Sequence, residues 1–179
     1  MLIEAQRSRT THPGVKSLAL AIACSVLLSS CGSGAGSPES RIYRMGERVA
    51  AGRLIYNVLE TDWHVQLGEG PNPRIPNHRF LLIRLTVTNS GIEESNIPLL
   101  ALVNARGETF NELSEGEGVP EWLGLLRRIK PAGTEQGRVI FDVPRGPYRL
   151  LVKDDTLETE PEKVALIEIP HQFEGQNPQ

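Results

Sequence analysis

Phe80-Leu81-Leu82-Ile83-Arg84-Leu85-Thr86-Val87-Thr88 is the stretch that settles the fold class. Successive side chains of an extended chain point to opposite faces. Leu81, Ile83, Leu85 and Val87 therefore share one face, and Arg84, Thr86 and Thr88 share the other. One apolar and one polar face is the pattern of a half-buried strand in an antiparallel sheet. Asn89-Ser90-Gly91 follows, supplying residues that tolerate turn conformations. Gly137 to Val143 repeats the reading: Val139, Phe141 and Val143 face one way, Arg138, Ile140 and Asp142 the other. Pro131-Ala132-Gly133 opens that strand and Pro144-Arg145-Gly146-Pro147 closes it.

Outward from these two, Leu54 to Leu59, Leu99 to Val103, Tyr148 to Val152 and Val164 to Ile169 read as further short strands. Ala105-Arg106-Gly107-Glu108 reads as a tight turn between Leu102-Val103 and Thr109-Phe110. Short strands separated by turn chemistry, without a sustained helical period, predict an all-β fold. The expected architecture is an immunoglobulin-like antiparallel β-sandwich of about seven to nine short strands. Val119 to Ile129 is the single stretch expected to form a turn or two of helix.

Upstream, Arg7, Arg9 and Lys16 precede Ser17 to Leu28, twelve residues without a charge or a helix breaker, and Leu28-Ser29-Ser30-Cys31-Gly32 follows. A charged start, an apolar run and a small-residue cleavage site make a secretory signal. A membrane-spanning helix needs about 20 apolar residues, and this run is shorter. Leu28-Ser29-Ser30-Cys31 resembles the lipobox of bacterial lipoproteins. That resemblance implies a diacylglyceryl thioether on Cys31 and cleavage before it. Cys24, inside the apolar run, is the weaker competitor. Gly32-Ser33-Gly34-Ala35-Gly36-Ser37-Pro38 has the composition of a flexible linker. The expected organisation is a cleaved signal peptide at 1–30, a lipidated cysteine and linker at 31–40, a sandwich at 41–170 and a disordered tail at 171–179. An extracytoplasmic, membrane-anchored lipoprotein follows: on the outer membrane if the organism has two membranes, otherwise on the cell surface.

Met45-Gly46-Glu47-Arg48-Val49, the Phe80 to Gly91 block, Leu102 to Gly107, Ile129-Lys130-Pro131-Ala132-Gly133-Thr134 and Gly137 to Pro144 occur in that order. Together they resemble the telokin-like, immunoglobulin-like domain of secreted and lipid-anchored bacterial proteins, domain of unknown function 4352. The resemblance runs from Tyr43 to Val152 and implies the fold without implying any activity or catalytic residue. The chain departs from that pattern between Asn111 and Arg128.

Of 179 residues, 23% are charged, with a formal net charge of −3. A nucleic-acid-binding face would show as basic excess, so nucleic acid is not an expected partner. Loss of residues 1–30 removes three basic and one acidic side chain, leaving sixteen basic against twenty-one acidic, or −5. With Cys24 discarded and Cys31 lipidated, no disulfide is expected. Catalytic chemistry is equally sparse. His64, His78 and His171 lack metal-ligand spacing, and neither a nucleophile elbow nor a phosphate-binding loop occurs. Glu93-Glu94, Asp154-Asp155 and Glu158/Glu160/Glu162 read as exposed, solvated charge. Glu112, Glu115, Glu117 and Glu121 cluster without the spacing of a calcium loop.

These residues predict a non-catalytic binding module that needs no cofactor and no metal. It would be held on the membrane through Cys31 and have an envelope protein or cell-wall component as partner. Trp122, Leu125, Leu126, Arg127 and Arg128 are the candidate interaction surface, because Trp and Arg are enriched at binding hot spots. Alternatively, Trp122, Leu125 and Leu126 close one end of the sandwich with the arginines in water, or this basic, apolar patch touches the membrane. Two other functions stay open: a metal or enzymatic site assembled from His64, His78 and Glu117, and a structural accessory subunit of an envelope assembly.

Overall fold

A computed structural model describes residues 41–69, 71–155 and 163–171. The signal peptide, Cys31, the linker to residue 40, the Glu158/Glu160/Glu162 series and the tail beyond His171 lie outside the described residues. Described in chain order, the strands are β1 (Ile42–Arg44), β2 (Val49–Ala51), β3 (Leu54–His64), β4 (Phe80–Asn89), β5 (Ser95–Asn96) and β6 (Ala101–Asn104). They continue with β7 (Thr109–Asn111), β8 (Arg128–Ile129), β9 (Thr134–Asp142), β10 (Tyr148–Lys153) and β11 (Val164–Ile169). The count exceeds seven to nine because five of these strands are only two or three residues long. Such lengths are too short to show a period of two.

The strands form a sheet of order β1-β11-β10-β6-β7, a second of order β2-β3-β4-β9, and a separate β5-β8 ladder. Leu81, Ile83, Leu85 and Val87 are buried between the two main sheets, as the alternation requires, with Val139, Phe141, Leu102, Leu150 and Ile167 among their neighbours in the core. Burying an aliphatic side chain of this size contributes about 1.5–3 kcal/mol. One pairing departs from the antiparallel expectation: β1 runs parallel to β11, with Ile42 opposite Leu166. β3 outruns the expected Leu54 to Leu59 because a bulge between Val58 and Glu60 shifts its alternation. Leu54, Tyr56 and Val58 are buried before the bulge, Leu59 is exposed at it, and the strand continues to His64.

Among the described residues no helix forms, and Val119 to Ile129 is a correction to the sequence expectation. Its backbone bonds to β9 instead of to itself: Leu123 N–H donates to Arg138 O (2.9 Å), and Arg138 N–H donates to Glu121 O (2.8 Å). Glu121 (φ 52°) and Gly124 (φ 76°) sit in the left-handed region that a helix cannot pass through. The segment thereby covers the outer edge of β9, the kind of unpaired strand edge that otherwise invites aggregation.

Ile42, Leu166, Leu151 and Ala101 stand in one row across the first sheet. Because β1, β11 and β6 run the same way and β10 the opposite way, Arg41, Val164, Lys153 and Leu99 all lie at one end, called proximal below. Arg53, bonded through its guanidinium to Asp155 (3.1 Å), brings the second sheet's β2–β3 turn to that end. The distal end carries the Ala105-Arg106 and Pro144–Pro147 turns and the connection from Val65 to Arg79.

Candidate functional site

The five residues of the expected surface go to different places. Trp122 is half-buried on the outer face of the second sheet, packed against a second apolar cluster of Leu67, Phe80, Leu82, Val119 and Ile140. It closes neither end of the sandwich. A side chain at Gly116 would run into its indole. Leu126 is 99% exposed and Leu125 39% exposed. Arg128 is exposed, with its guanidinium 3.6 Å from Glu94.

Arg127 corrects the expectation of two solvated arginines. It is buried and pairs with the equally buried carboxylate of Glu112. Alternation backward from buried Ile129 puts Arg127 on the inner side and Arg128 outside. The other oxygen of Glu112 accepts the Leu100 N–H at 3.0 Å, and the Arg127 carbonyl accepts from Ile97 N–H at 2.8 Å. Nε and Nη1 of Arg127 find no protein acceptor. Burial pushes the Glu112 carboxyl above its usual range against the opposing pull of Arg127 and the Leu100 amide. Desolvation outweighs attraction here, as it often does for buried ion pairs.

Asp154 and Asp155 are a second correction, for neither is a solvated surface charge. Asp154 is buried, and its carboxylate accepts from Lys163 N–H. Asp155 accepts from Ser95 Oγ (3.0 Å) and Asn96 N–H (2.9 Å) while pairing with Arg53. These contacts bind the β5–β8 ladder across the proximal end. Glu93 and Glu94 are exposed beside Arg53 and Arg128, as expected.

His64, His78 and Glu117 are not drawn into one site. His64 ends β3 opposite Phe80, while His78 lies in the preceding loop with Nδ1 3.7 Å from Asp142. Glu117 is exposed in its turn. Of the other clustered glutamates, Glu121 lies 3.4 Å from Arg138 and Glu112 is committed to Arg127. Among the described residues no three His, Cys, Asp or Glu side chains converge as a metal site.

Several grooves mark the surface, one of about 270 Å³ beside Ile55, Thr88 and Thr134 on the proximal half and the others toward the distal end. An open one of about 730 Å³ runs along the outer sheet face between Asp62, His64, Leu67, Val119 and Arg138. Another of about 210 Å³ separates the Asn104–Arg106 turn from Pro144–Tyr148. Sequence reasoning missed the open one because Leu82 and Ile140 fall at outward positions. Phe80, Leu82 and Ile140 on a face that otherwise carries Arg84, Thr86 and Arg138 were the available signal, and Leu82 pairs directly with Ile140 across β4 and β9. No helix among the described residues is long and apolar enough to cross a membrane.

No curated protein matches the chain in sequence. Solved bacterial structures share its fold. The yjhA protein of Bacillus subtilis is 14% identical with a TM-score of 0.54, covering 70% of this chain and 99% of that one. A candidate lipoprotein, ycdA, of Bacillus subtilis subsp. subtilis str. 168 is 11% identical with a TM-score of 0.54, over 71% of this chain and 39% of its own. A functionally unknown protein from Listeria monocytogenes EGD-e is 10% identical with a TM-score of 0.52, over 70% and 82%. At these identities the likeness is one of fold. The sequence itself matches a family profile over residues 43–163, and by that match the chain belongs to the family described as Domain of unknown function (DUF4352).

Proposed function

We propose that this chain is a non-catalytic interaction module of the bacterial cell envelope, anchored in the membrane by lipid on Cys31. The arrangement of its two ends carries the reading. Arg41, ten residues after Cys31, begins the fold at the proximal end, while the open groove of about 730 Å³ lies on the distal half. An anchored sandwich then holds its distal loops away from the lipid, where a scaffold of this type usually binds. The lipobox-like Leu28-Ser29-Ser30-Cys31 supports the anchor, as does the fold shared with a candidate lipoprotein. Two or more acyl chains hold a protein stably on a bilayer without a spanning helix. The partner is an envelope protein or a cell-wall component.

Metabolic labelling with an alkyne fatty acid tests the anchor: wild type should incorporate label and fractionate with membranes, and Cys31→Ser should do neither. Incorporation independent of Cys31 would overturn it. A photo-crosslinker at Arg106 should capture an envelope component, and one at Lys130 should capture less of it. The reverse pattern would place the partner at the wrong end.

A further inference from the structure

We infer that the outer edge of β3 past its bulge binds an extended basic segment of a partner protein as an added strand. This inference deepens the reading of an envelope interaction module and rests on it. β2 covers β3 only from Leu54 to Tyr56, and the Gly46 N–H closes that cover at Val58 O (3.0 Å). From Leu59 to His64 no described backbone group pairs with β3 on that side. The ladder fixes which groups are left over. Arg138 and Ile140 turn their backbone outward from β9, where Glu121, Leu123 and Leu113 meet it. Residues alternate in bonding direction along a strand, so Val139 and Phe141 bond to Ile83 and Leu81 of β4. Ile83 and Leu81 therefore turn away from their β3 partners, Thr61 and Trp63. The N–H and C=O groups of Thr61 and Trp63 then point out of the sheet, as donors and acceptors for a further strand. This open run is six residues long, against three for each of the edge strands β1, β2 and β7.

Side chains beside the edge set the chemistry of the added strand. Glu60, Asp62 and His64 project onto the outer face, in register with Arg84, Leu82 and Phe80. Glu60 is held by Arg84 (3.4 Å) and Arg138 (3.8 Å), whereas Asp62 makes no ion pair among the described residues. Asp62 and Glu69 line the 730 Å³ groove, and Arg138, the one Lys or Arg lining it, is committed to Glu60 and Glu121. Arg44 stands opposite Glu168 and Arg48 beside Ile55 and Asn57, so neither lines this groove. A strand added along Thr61 and Trp63 sets one side chain about 5 Å from Asp62. Lys or Arg at that position pairs with Asp62 at the mouth of the groove. Segments of this chain outside the described fold do not suit the edge. Residues 32–40, 156–162 and 172–179 contain no Lys or Arg, and Glu39, Glu158, Glu160, Glu162 and Glu174 are their charged side chains. A second copy pairing edge to edge would bring Glu60 and Asp62 against the same two carboxylates, and like charges set opposite destabilise a strand pair.

The test titrates the full lipidated chain, in detergent micelles, into fluorescein-labelled peptides and reads anisotropy. The probes are Thr-Lys-Val-Lys-Val-Lys-Thr, the same peptide with Glu for Lys, and the Lys peptide N-methylated at its two valines, whose N–H groups would face the edge. The Lys peptide should bind several-fold more tightly than either of the others, and Asp62→Asn should weaken it several-fold. Amide exchange at Thr61 and Trp63 should slow when the Lys peptide is bound. Equal binding of the N-methylated peptide, or unchanged exchange at those two amides, would overturn strand addition. Equal binding of the Glu peptide would overturn the basic character of the partner. Slow exchange at both amides before any peptide is added would show the edge already occupied and would overturn the inference too. If no peptide binds while Cys31 takes label and the Arg106 crosslinker captures an envelope component, this inference falls and the module reading stands. Failure of all three would overturn both. Circular dichroism checks that Asp62→Asn folds, and the peptide comparison on the unmodified chain does not depend on it.

Discussion

Each end of the sandwich is latched by a tyrosine hydroxyl donating to a backbone carbonyl, and the two latches differ in how they are built. At the distal end Tyr148 reaches back four residues to Pro144 O (2.7 Å), with Phe110 edge-on to its ring at 5.7 Å and 90°. That is a local closure of the kind called a tyrosine corner in immunoglobulin-like folds. At the proximal end Tyr56 reaches Lys153 O (2.6 Å), 97 residues away. The charges of Arg127, Asp154, Asp155 and Glu112 all act on its phenol. The distal latch needs one turn to form. The proximal latch closes β3 onto β10 across 97 residues of chain, beside the buried charges that hold the β5–β8 ladder and the chain around Glu112.

The largest break in that comparison should come from Arg127→Met. Removing one member of a buried pair leaves the other charge uncompensated, at about 3–5 kcal/mol. Urea denaturation at neutral pH measures it. Adding Glu112→Leu to that variant should restore part of the loss, though the Leu100 amide then lacks its acceptor. A cost below about 1 kcal/mol for Arg127→Met would show that the proximal end is not held by charge. The second break is backbone crowding. Gly52 sits at φ 57°, and a side chain there would enter the Asp154 carboxylate. A side chain at Gly116 first meets the edge-covering Trp122. Overpacking costs about 1–3 kcal/mol, and Gly52→Ala adds left-handed strain of about 1 kcal/mol. Gly52→Ala should therefore lower the urea midpoint more than Gly116→Ala.

What the sequence disclosed follows the same division. β4 and β9 were legible because nine or ten residues display alternation by themselves, and the turn at Ala105–Glu108 because its residues carry the turn. The resemblance blocks lie on those elements, so the family was legible too. Arg127 was not, since its burial depends on Glu112 fifteen residues upstream arriving from the other side of the segment. Asp154 and Asp155 looked solvated for the same reason: Lys163 meets Asp154, and Ser95, Asn96 and Arg53 meet Asp155, only in the fold. Of the expected surface, exposure survives at Leu125, Leu126 and Arg128, while Trp122 packs down and Arg127 turns inward. Local patterning reads one strand at a time, and this proximal end is assembled from five places in the chain.

Alkaline titration separates the two latches without removing either. Burial raises the Tyr56 phenol far above its ordinary value of 10 and also raises Tyr148. The unfolded phenol ionises near pH 10 while buried Tyr56 keeps its proton. Its contribution is therefore complete below pH 10 and is lost as pH climbs beyond it toward the folded value. The slope for one such group is about 1.4 kcal/mol per pH unit. Tyr56→Phe should flatten the decline in stability between pH 10 and 11, measured as the urea midpoint at each pH. An unchanged slope would mean that water reaches the phenol.

The smallest effect expected is that of the hydroxyls themselves at neutral pH, where both phenols are protonated. Each bond is worth about 0.5–1.5 kcal/mol net, so Tyr56→Phe and Tyr148→Phe should differ little in total stability. They should differ in where the loss appears. Pro144 O stands at an exposed turn where water can replace the hydroxyl, so Tyr148→Phe should speed amide exchange only around residues 144–148. Lys153 O lies beside Asp154 and the closing ladder, so Tyr56→Phe should speed exchange together at Asn96, Ile97 and Leu100, the amides bonded to Asp155, Arg127 and Glu112. Protection lost at those three amides as a group would establish the proximal end as one cooperative unit. Loss confined to Lys153 and its neighbours would reduce it to a second local latch.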